Sequence, residues 1–336
     1  MKLIHKSYKF RLYPNNEQSI LLAKHFGSCR FVFNKYLNDR KETYNKDKTS
    51  LNYYDNAKSL TELKNIDDFS WLKEINSQSL QQSLKCLNVS YNNFFKNKTS
   101  FPKFKSKYDK QSFSIPQYIT IEEDKLYIPK FKNGINIIVH RDIEGKICHA
   151  TISKTPTNKY FVSLTCEIEY DPYVNTWSSI GIDTGIKDLA ILSDGKVYPN
   201  IKSLKQSIRK LKYKQRQLSK KKQGSNCRNK QRIVVARLHE LVASIRYDYL
   251  QKVTTEIVKN HDIICIEDLA VKNIIKNHCL AQAMSDVGLG MFYNFIEYKS
   301  NWNDRVISTI DRFYPSSKTC NCCEFINHNL RTWKKL

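Results

Sequence analysis

The chain has 336 residues, with 56 Lys and Arg against 32 Asp and Glu, a formal charge of +24. That length suits about two domains, and the cationic surplus points to a polyanionic partner such as nucleic acid. The sequence contains no run of roughly 18 apolar residues, no export signal and no lipidation motif, so no membrane partner is expected and the location reads as cytoplasmic.

Residues 2–12 alternate, with Leu3, His5, Tyr8, Phe10 and Leu12 set among Lys2, Lys6, Lys9 and Arg11. This predicts a half-buried strand with a cationic outer face. Pro14 ends it, and Asn15 with Gln18 forms a capping-box start for a helix. Leu21, Leu22 and Phe26 make the apolar face, Gly27-Ser28 predicts a break, and Phe31, Phe33, Tyr36, Leu37 and Tyr44 predict a second helix. Helix–Gly–helix occurs in many bundles, so this pattern alone does not imply a DNA-reading helix-turn-helix.

Leu80, Leu84, Leu87, Tyr91, Phe94 and Phe95 form one helical stripe, read as core. The opposite face offers Gln78, Gln81, Gln82, Lys85 and Asn88, either solvated or able to read base edges. FPKFKSK at 101–107 interleaves Phe with Lys103 and Lys105, which suits base stacking plus phosphate contact and suits an anchored surface loop equally well. From 113 to 168 short β segments alternate with Pro, Gly and Asn, as in a small sheet or barrel. The first strand has no nearby partner, so it is expected to join this later sheet, with the helices of 15–98 inserted between.

GIDTGIKDLAIL at 181–192 reads as strand, Thr184-Gly185 turn and returning strand, extended by Lys196-Val197-Tyr198. Its first strand carries Asp183, a carboxylate in an apolar setting, which needs pairing or a metal if buried. A turn-capping Asp is the plain alternative. Residues 200–222 and the segment after Gln223-Gly224-Ser225-Asn226 predict an antiparallel helical pair, the second helix carrying Leu238, Leu241, Val242, Ile245, Tyr249 and Val253. Between Lys196 and His239 there is no acidic residue, while Lys202, Lys205, Arg209, Lys212, Arg216, Lys220, Lys221, Arg228 and Arg232 fall within it. Charge of one sign over such a length favours a phosphate-tracking surface.

The apolar strand His261–Ile266 ends in Glu267-Asp268. A second acid at a strand tip, combined with Asp183, suits a magnesium-dependent phosphodiesterase, because magnesium takes oxygen ligands from one or two carboxylates plus substrate phosphate. Glu267 as a solvent-facing strand-end acid is the alternative. Of the ten cysteines, Cys29, Cys86, Cys148, Cys166, Cys227, Cys265 and Cys279 read as reduced, buried small residues. Cys320, Cys322 and Cys323 cluster.

Taken together, KFRLYPNNEQ, SQSLQQSLKCLNVSYNNFF, FPKFKSK, GIDTGIKDLAIL, ICIEDLAVKN, MFYNFIEYKSNW and RFYPSSKTCNCC occur in the order seen in the transposon-encoded TnpB (OrfB) family. The sequence resembles this family, whose members are related to type V CRISPR effectors, along nearly its whole length. The resemblance implies an α/β multidomain fold: a wedge-type β-barrel (1–13 and 112–172) split around a helical recognition domain (14–111). An RNase H-like (RuvC) domain (176–314) with a basic helical hairpin (200–260) and a zinc-binding knuckle (315–336) would follow. It further implies a prokaryotic, nucleoid-associated protein that takes a guide RNA from the transposon end and cleaves double-stranded DNA matching it beside a short flanking motif. Asp183 matches the family's first catalytic Asp and Glu267 its catalytic Glu, the ligands of a two-ion magnesium site. The helix bearing Gln78 and Gln82 matches the region that contributes to flank reading. Lys9, Arg11, Lys103, Lys105 and the hairpin cations are the expected nucleic-acid contacts.

The sequence also departs from the family pattern. Cys320 and Cys323 supply one C-x-x-C pair, Glu324 replaces the usual Gly, and Leu336 falls about where a second pair begins in relatives. Zinc is therefore a candidate ligand with an incomplete donor set, since a structural site takes four donors and the spacing of His328 matches no finger. The family's third catalytic Asp has no counterpart, and none of Asp286, Asp304 and Asp311 stands in its position. The resulting expectation is a C-terminally truncated member that binds DNA under RNA guidance with impaired cleavage. The alternatives are a guided repressor that does not cut and a non-functional remnant that folds poorly.

Overall fold

The alternation of residues 2–12 folds as β1 (Lys2–Tyr13) and holds from Tyr8 onward, with Tyr8, Phe10 and Leu12 buried and Lys9 outward. Before Tyr8 it does not hold: Leu3 and His5 are exposed, and Ile4 is buried in their place. In this computed structural model, residues 1–267, 278–311, 318–319, 323 and 325–326 are described. They divide between two units, Leu3–Glu169 and the described part of Met1–Lys2 with Tyr170–Leu336.

In the first unit Asn15 caps α1 (Asn16–Asp47) through the predicted box: its side chain accepts from the Gln18 N–H at 2.8 Å, and Gln18 accepts from the Asn15 N–H at 3.1 Å. The predicted break does not occur. The helix runs straight through Gly27-Ser28, where an added Cβ would meet nothing within 4 Å and the Ser28 hydroxyl donates to the Lys24 carbonyl. A helical glycine costs about 1 kcal/mol, whereas each large side chain buried around it contributes roughly 1.5–3 kcal/mol. Phe26, Cys29, Val32 and Phe33 are all buried here, so packing wins.

Next come α2 (Tyr53–Leu63), a 3-10 segment (Asp67–Glu74) and α3 (Ser77–Phe95). The α3 stripe is core only at first. Leu80, Leu84 and Leu87 are fully buried, Tyr91 and Phe94 are half-buried, and Phe95 is 68% exposed.

The β-rich segment supplies β2 (Gln111–Ile115), β3 (Thr120–Glu122), β4 (Lys125–Ile128), β5 (Phe131–Ile138), β6 (Lys146–Lys154) and β7 (Tyr160–Tyr170). The sheet order is β2-β6-β7-β1-β5-β4-β3, with Arg11 opposite Ile138. The first strand thus joins the later sheet, as its pattern required, and the helices form an insertion. Gly145 opens β6 at φ +75°, where a Cβ would lie 2.1 Å from the Glu167 carbonyl oxygen, so no other residue fits there.

In the second unit β8 (Ser179–Thr184), β9 (Asp188–Leu192) and β10 (Val197–Pro199) form an antiparallel run. They are followed by α4 (Ser203–Ser219), α5 (Asn226–Asn260), β11 (Ile263–Glu267), α6 (His278–Val287), α7 (Leu289–Trp302) and β12 (Val306–Ile310). The order is β10-β9-β8-β11-β12, and β11 pairs in parallel with both β8 and β12. Ile180, Ile182 and Ile264 face a core shared with Val253 and Ile257 of α5 and Phe292 and Ile296 of α7.

The α5 stripe differs from its sequence reading. Val242 and Val253 are buried, but Leu241 and Ile245 are exposed, and burial shifts to Val235, Leu250, Ile257 and Val258. The helix packs on α4 in its first half and against α7 and the sheet in its second, so one straight stripe cannot serve both. Cys86 and Cys227, read as buried, are exposed, while Cys29 and Cys166 are buried. Among the described residues no helix is long and apolar enough to cross a membrane.

Candidate metal centre and nucleic-acid interface

Register alone brings the two predicted carboxylates together. Cys265 pairs with Gly181 and Ile266 with Ile182 in parallel, so the next position on each strand places Glu267 beside Asp183. Alternation sends Ile182 and Thr184 into the core and Asp183 to the opposite, open face. Asp183 is therefore exposed rather than buried, which corrects the premise that it needed a partner to survive in the interior. Both acids line one shallow depression with Cys265, Ser193 and Ile310. Partial desolvation, and then the negative charge of Glu267, raise the Asp183 pKa, opposed by its bond to the Thr184 backbone. Beneath the sheet the Thr184 hydroxyl meets the Tyr293 hydroxyl at 2.6 Å, tying β8 to α7.

Asp286 is engaged elsewhere. The residue before α4, Lys202, is left-handed (φ 48°) and provides no side-chain cap. Asp286 caps the helix from α6 instead, accepting from the Leu204 N–H at 2.8 Å, the Lys205 N–H at 3.0 Å and the Ser203 hydroxyl at 3.2 Å. Arg246 pairs with it at 3.1 Å, and Asp286 is buried. Asp304 forms an ion pair with Lys2. Asp311 directly follows Ile310, the β12 partner of Glu267, and is exposed. Asp268 lies outside the described residues.

The basic hairpin holds its cations in solvent. Lys202, Lys205, Arg209, Lys212, Arg216, Lys220 and Arg232 are exposed, and Lys221 is half-buried. Arg228 is committed to the turn, donating to the Leu218 and Lys221 carbonyls at 2.9 Å each.

In the first unit the Lys9 ammonium and the Arg11 guanidinium flank the Phe161 ring at 4.6 and 5.2 Å from its centroid. Gln78 donates to Gln117 at 2.9 Å, and its own Oε1 is buried without a partner among the described residues. Gln82 lines a small polar cavity with Arg30 and Lys105, while Lys103 is exposed. The Lys105 ammonium sits 3.8 Å from the Phe33 ring centroid.

Three family models match separate parts of the chain: "Helix-turn-helix domain" over 1–49, "Probable transposase" over 163–278 and "Cas12f1-like, TNB domain" over 290–335. A protein of Streptomyces pristinaespiralis named "Putative RNA-guided DNA endonuclease" is 34% identical over 99% of this chain and 85% of its own length. One of Escherichia coli K12, named likewise with the suffix InsQ, is 33% identical over 94% and 83%. The chain belongs to the TnpB (OrfB) family. The solved structure described as "Cryo-EM structure of the Cas12f1-sgRNA-target DNA complex" superposes with TM-score 0.57 at 12% identity, covering 98% of this chain and 93% of that one, a likeness of fold.

In this TnpB chain the 163–278 match spans both carboxylates and the hairpin. The 1–49 match covers β1 and one unbroken helix. Cys323 is an exposed free thiol, and Cys320 and His328 lie outside the described residues. Among the described residues no group of three or more His, Cys, Asp or Glu is placed to hold a metal. The Asp286–Arg246 pair has no local sequence signal, and Tyr293, although it lies in the MFYNFIEYKSNW motif, shows its tie to Thr184 only in the fold.

Proposed function

We propose that this TnpB-family chain is an RNA-guided DNA-binding protein in which Asp183 and Glu267 form the metal-binding edge of a RuvC-type endonuclease centre. The observation that carries this reading is the carboxylate pair on adjacent parallel strands, β8 and β11, of a sheet ordered β10-β9-β8-β11-β12. That order, with its parallel centre, suits an RNase H-like domain over 176–314. The seven-stranded sheet interrupted by α1–α3 suits a wedge barrel (1–13, 112–172) split around a recognition domain (14–111).

Two like charges on an open face fit a hard divalent cation, and each carboxylate supplies oxygen while leaving positions for water and phosphate. Bound magnesium would supply Lewis acidity toward a phosphodiester. The exposed cations of α4 and α5 would hold the nucleic-acid backbone, leaving sequence choice to base pairing with the guide. Cys320 and Cys323 amount to two of the four donors that a structural zinc site over 315–336 would take.

A second reading, guided binding without cutting, is favoured by the engagement of Asp286 as a helix cap, which withholds that acid from the metal centre. One experiment addresses both. The protein is purified with the RNA transcribed from the adjoining element end, and guide-matched and random duplexes are compared for binding and for magnesium-dependent strand breakage. Guide-dependent binding that weakens steeply with salt is expected. Breakage abolished by Asp183→Ala selects the endonuclease, and tight binding without breakage selects the repressor. Equal affinity for random duplex rejects both.

A further inference from the structure

The last turn of α3 carries aromatic residues that the core does not use. Where the stripe leaves the interior it borders a cavity of about 690 Å³ between the ends of α1 and α3 and the segment after α3, within the roughly 300–1,000 Å³ range of small-ligand sites. Tyr91 and Phe95 are near-parallel (28°) with centroids 6.2 Å apart. Phe101 stands edge-on to Tyr91 at 5.5 Å and to Phe94 at 5.2 Å. Phe95 is 68% exposed and Phe101 38%, so flat aromatic faces are open to a ligand.

The polar groups are arranged around these faces. Arg40 is buried at the base, its Nε donating to Asn56 at 2.6 Å and its guanidinium 5.1 Å from the Tyr91 centroid. At the rim the Lys41 ammonium lies 5.1 Å from the Phe101 centroid and 4.6 Å from that of Phe104. The side-chain amides of Asn45 and Asn92 line the cavity and make no hydrogen bond among the described residues. No carboxylate is among the described lining groups.

We infer that this cavity binds an unpaired RNA nucleotide, its base against Phe95 and Tyr91, its edge read by the Asn92 and Asn45 amides, and its phosphate near Lys41. Aromatic faces beside open amide donors and acceptors match a base with its hydrogen-bonding edge, and a rim cation in a described lining that holds no carboxylate matches the phosphate. RNA is the source because a folded RNA presents splayed-out bases in loops, whereas duplex DNA keeps its bases stacked until opened. The inference rests on the guided reading, in that the protein must carry an RNA.

The test uses the full chain with Phe95→Ala and Asn92→Ala, both at exposed positions, each checked for an unchanged melting temperature. Fluorescence anisotropy is measured on short single-stranded RNA of each base, on duplex RNA, and on single-stranded DNA of the same sequence. RNA carrying 4-thiouridine is crosslinked and the modified peptides are mapped. Phe95→Ala should weaken single-stranded RNA roughly 5–100-fold and leave duplex RNA unchanged, with crosslinks within 40–52 or 88–101. Unchanged affinity in both variants, crosslinks confined elsewhere, or a Phe95-dependent preference for the DNA strand would overturn the assignment. Failure of the wild-type chain to bind the element's RNA at all would instead sink the guided reading.

Discussion

Glu267 stands beside Asp183 because β11 and β8 run parallel in a register that matches Ile266 with Ile182. The two acids are remote in sequence and share one open face, and the charge of Glu267 helps to raise the Asp183 pKa. A pair of this kind is strained without a cation and relieved with one.

Magnesium should therefore stabilise the free protein. At ten times its dissociation constant the ion adds about 1.4 kcal/mol, read as a rise in melting temperature. Asp183→Asn should abolish that rise. Without metal the variant should be as stable as the wild type or better, by no more than about 1 kcal/mol, since the pair is partly solvated. A magnesium response retained in Asp183→Asn would place the ion elsewhere.

Asp286→Ala should cost about 3 kcal/mol, because it uncaps α4 and strands the Arg246 charge. Asp286→Asn keeps an acceptor for the α4 N–H groups and should lose less. Denaturant melts measure both. The magnesium shift should survive in Asp286→Asn, which separates a capping acid from a metal ligand.

Lys299 gives a pH signature. Its ammonium is held by the Gln251 carbonyl and the Thr254 and Thr255 hydroxyls, yet burial depresses its pKa from 10.5 to about 8. Between those values the unfolded chain binds more protons than the folded one, so this residue makes stability rise with pH across the window. Its full cost is present below about pH 8 and is gone above the unfolded pKa. The wild-type chain should gain up to about 3 kcal/mol from this source, and Lys299→Met should lack the gain. Melts from about pH 7.5 to about pH 10.5 on both proteins test it, and parallel curves would refute it.

Neutralising Lys205, Arg209 and Lys212 to Gln should leave the melting temperature unchanged, since all three are exposed. The slope of log K against log salt should fall by about 0.9 for each phosphate that the variant no longer neutralises. Titrations of guide-bound protein on DNA, or of free protein on RNA, would show it. An unaltered slope would remove the hairpin from the interface.

Gly27→Ala should stabilise the chain by about 1 kcal/mol, because the helix is continuous there and the new Cβ meets open space. A destabilised variant would mean that the glycine serves a real break.

Local patterns were legible because their physics is local. The β1 alternation from Tyr8 onward, the Asn15–Gln18 box, the α3 stripe as far as Leu87, the acid-free hairpin and the hairpin around Asp183 each follow from periodicity, capping or charge within a few turns of chain. The resemblance of seven ordered motifs carried the family. What the sequence could not decide depended on partners distant along the chain. Whether Gly27 breaks a helix was set by the side chains buried on both sides of it. Whether the α3 stripe stays in the core was set by where its neighbours end. That Asp286 becomes a helix cap was set by the left-handed Lys202 that leaves α4 uncapped, whereas Glu267, already paired with Asp183 in the sequence, needed only the strand register to bring it there. In each case the deciding energy is summed over long-range packing, and a stretch of sequence carries no record of which surface it will meet.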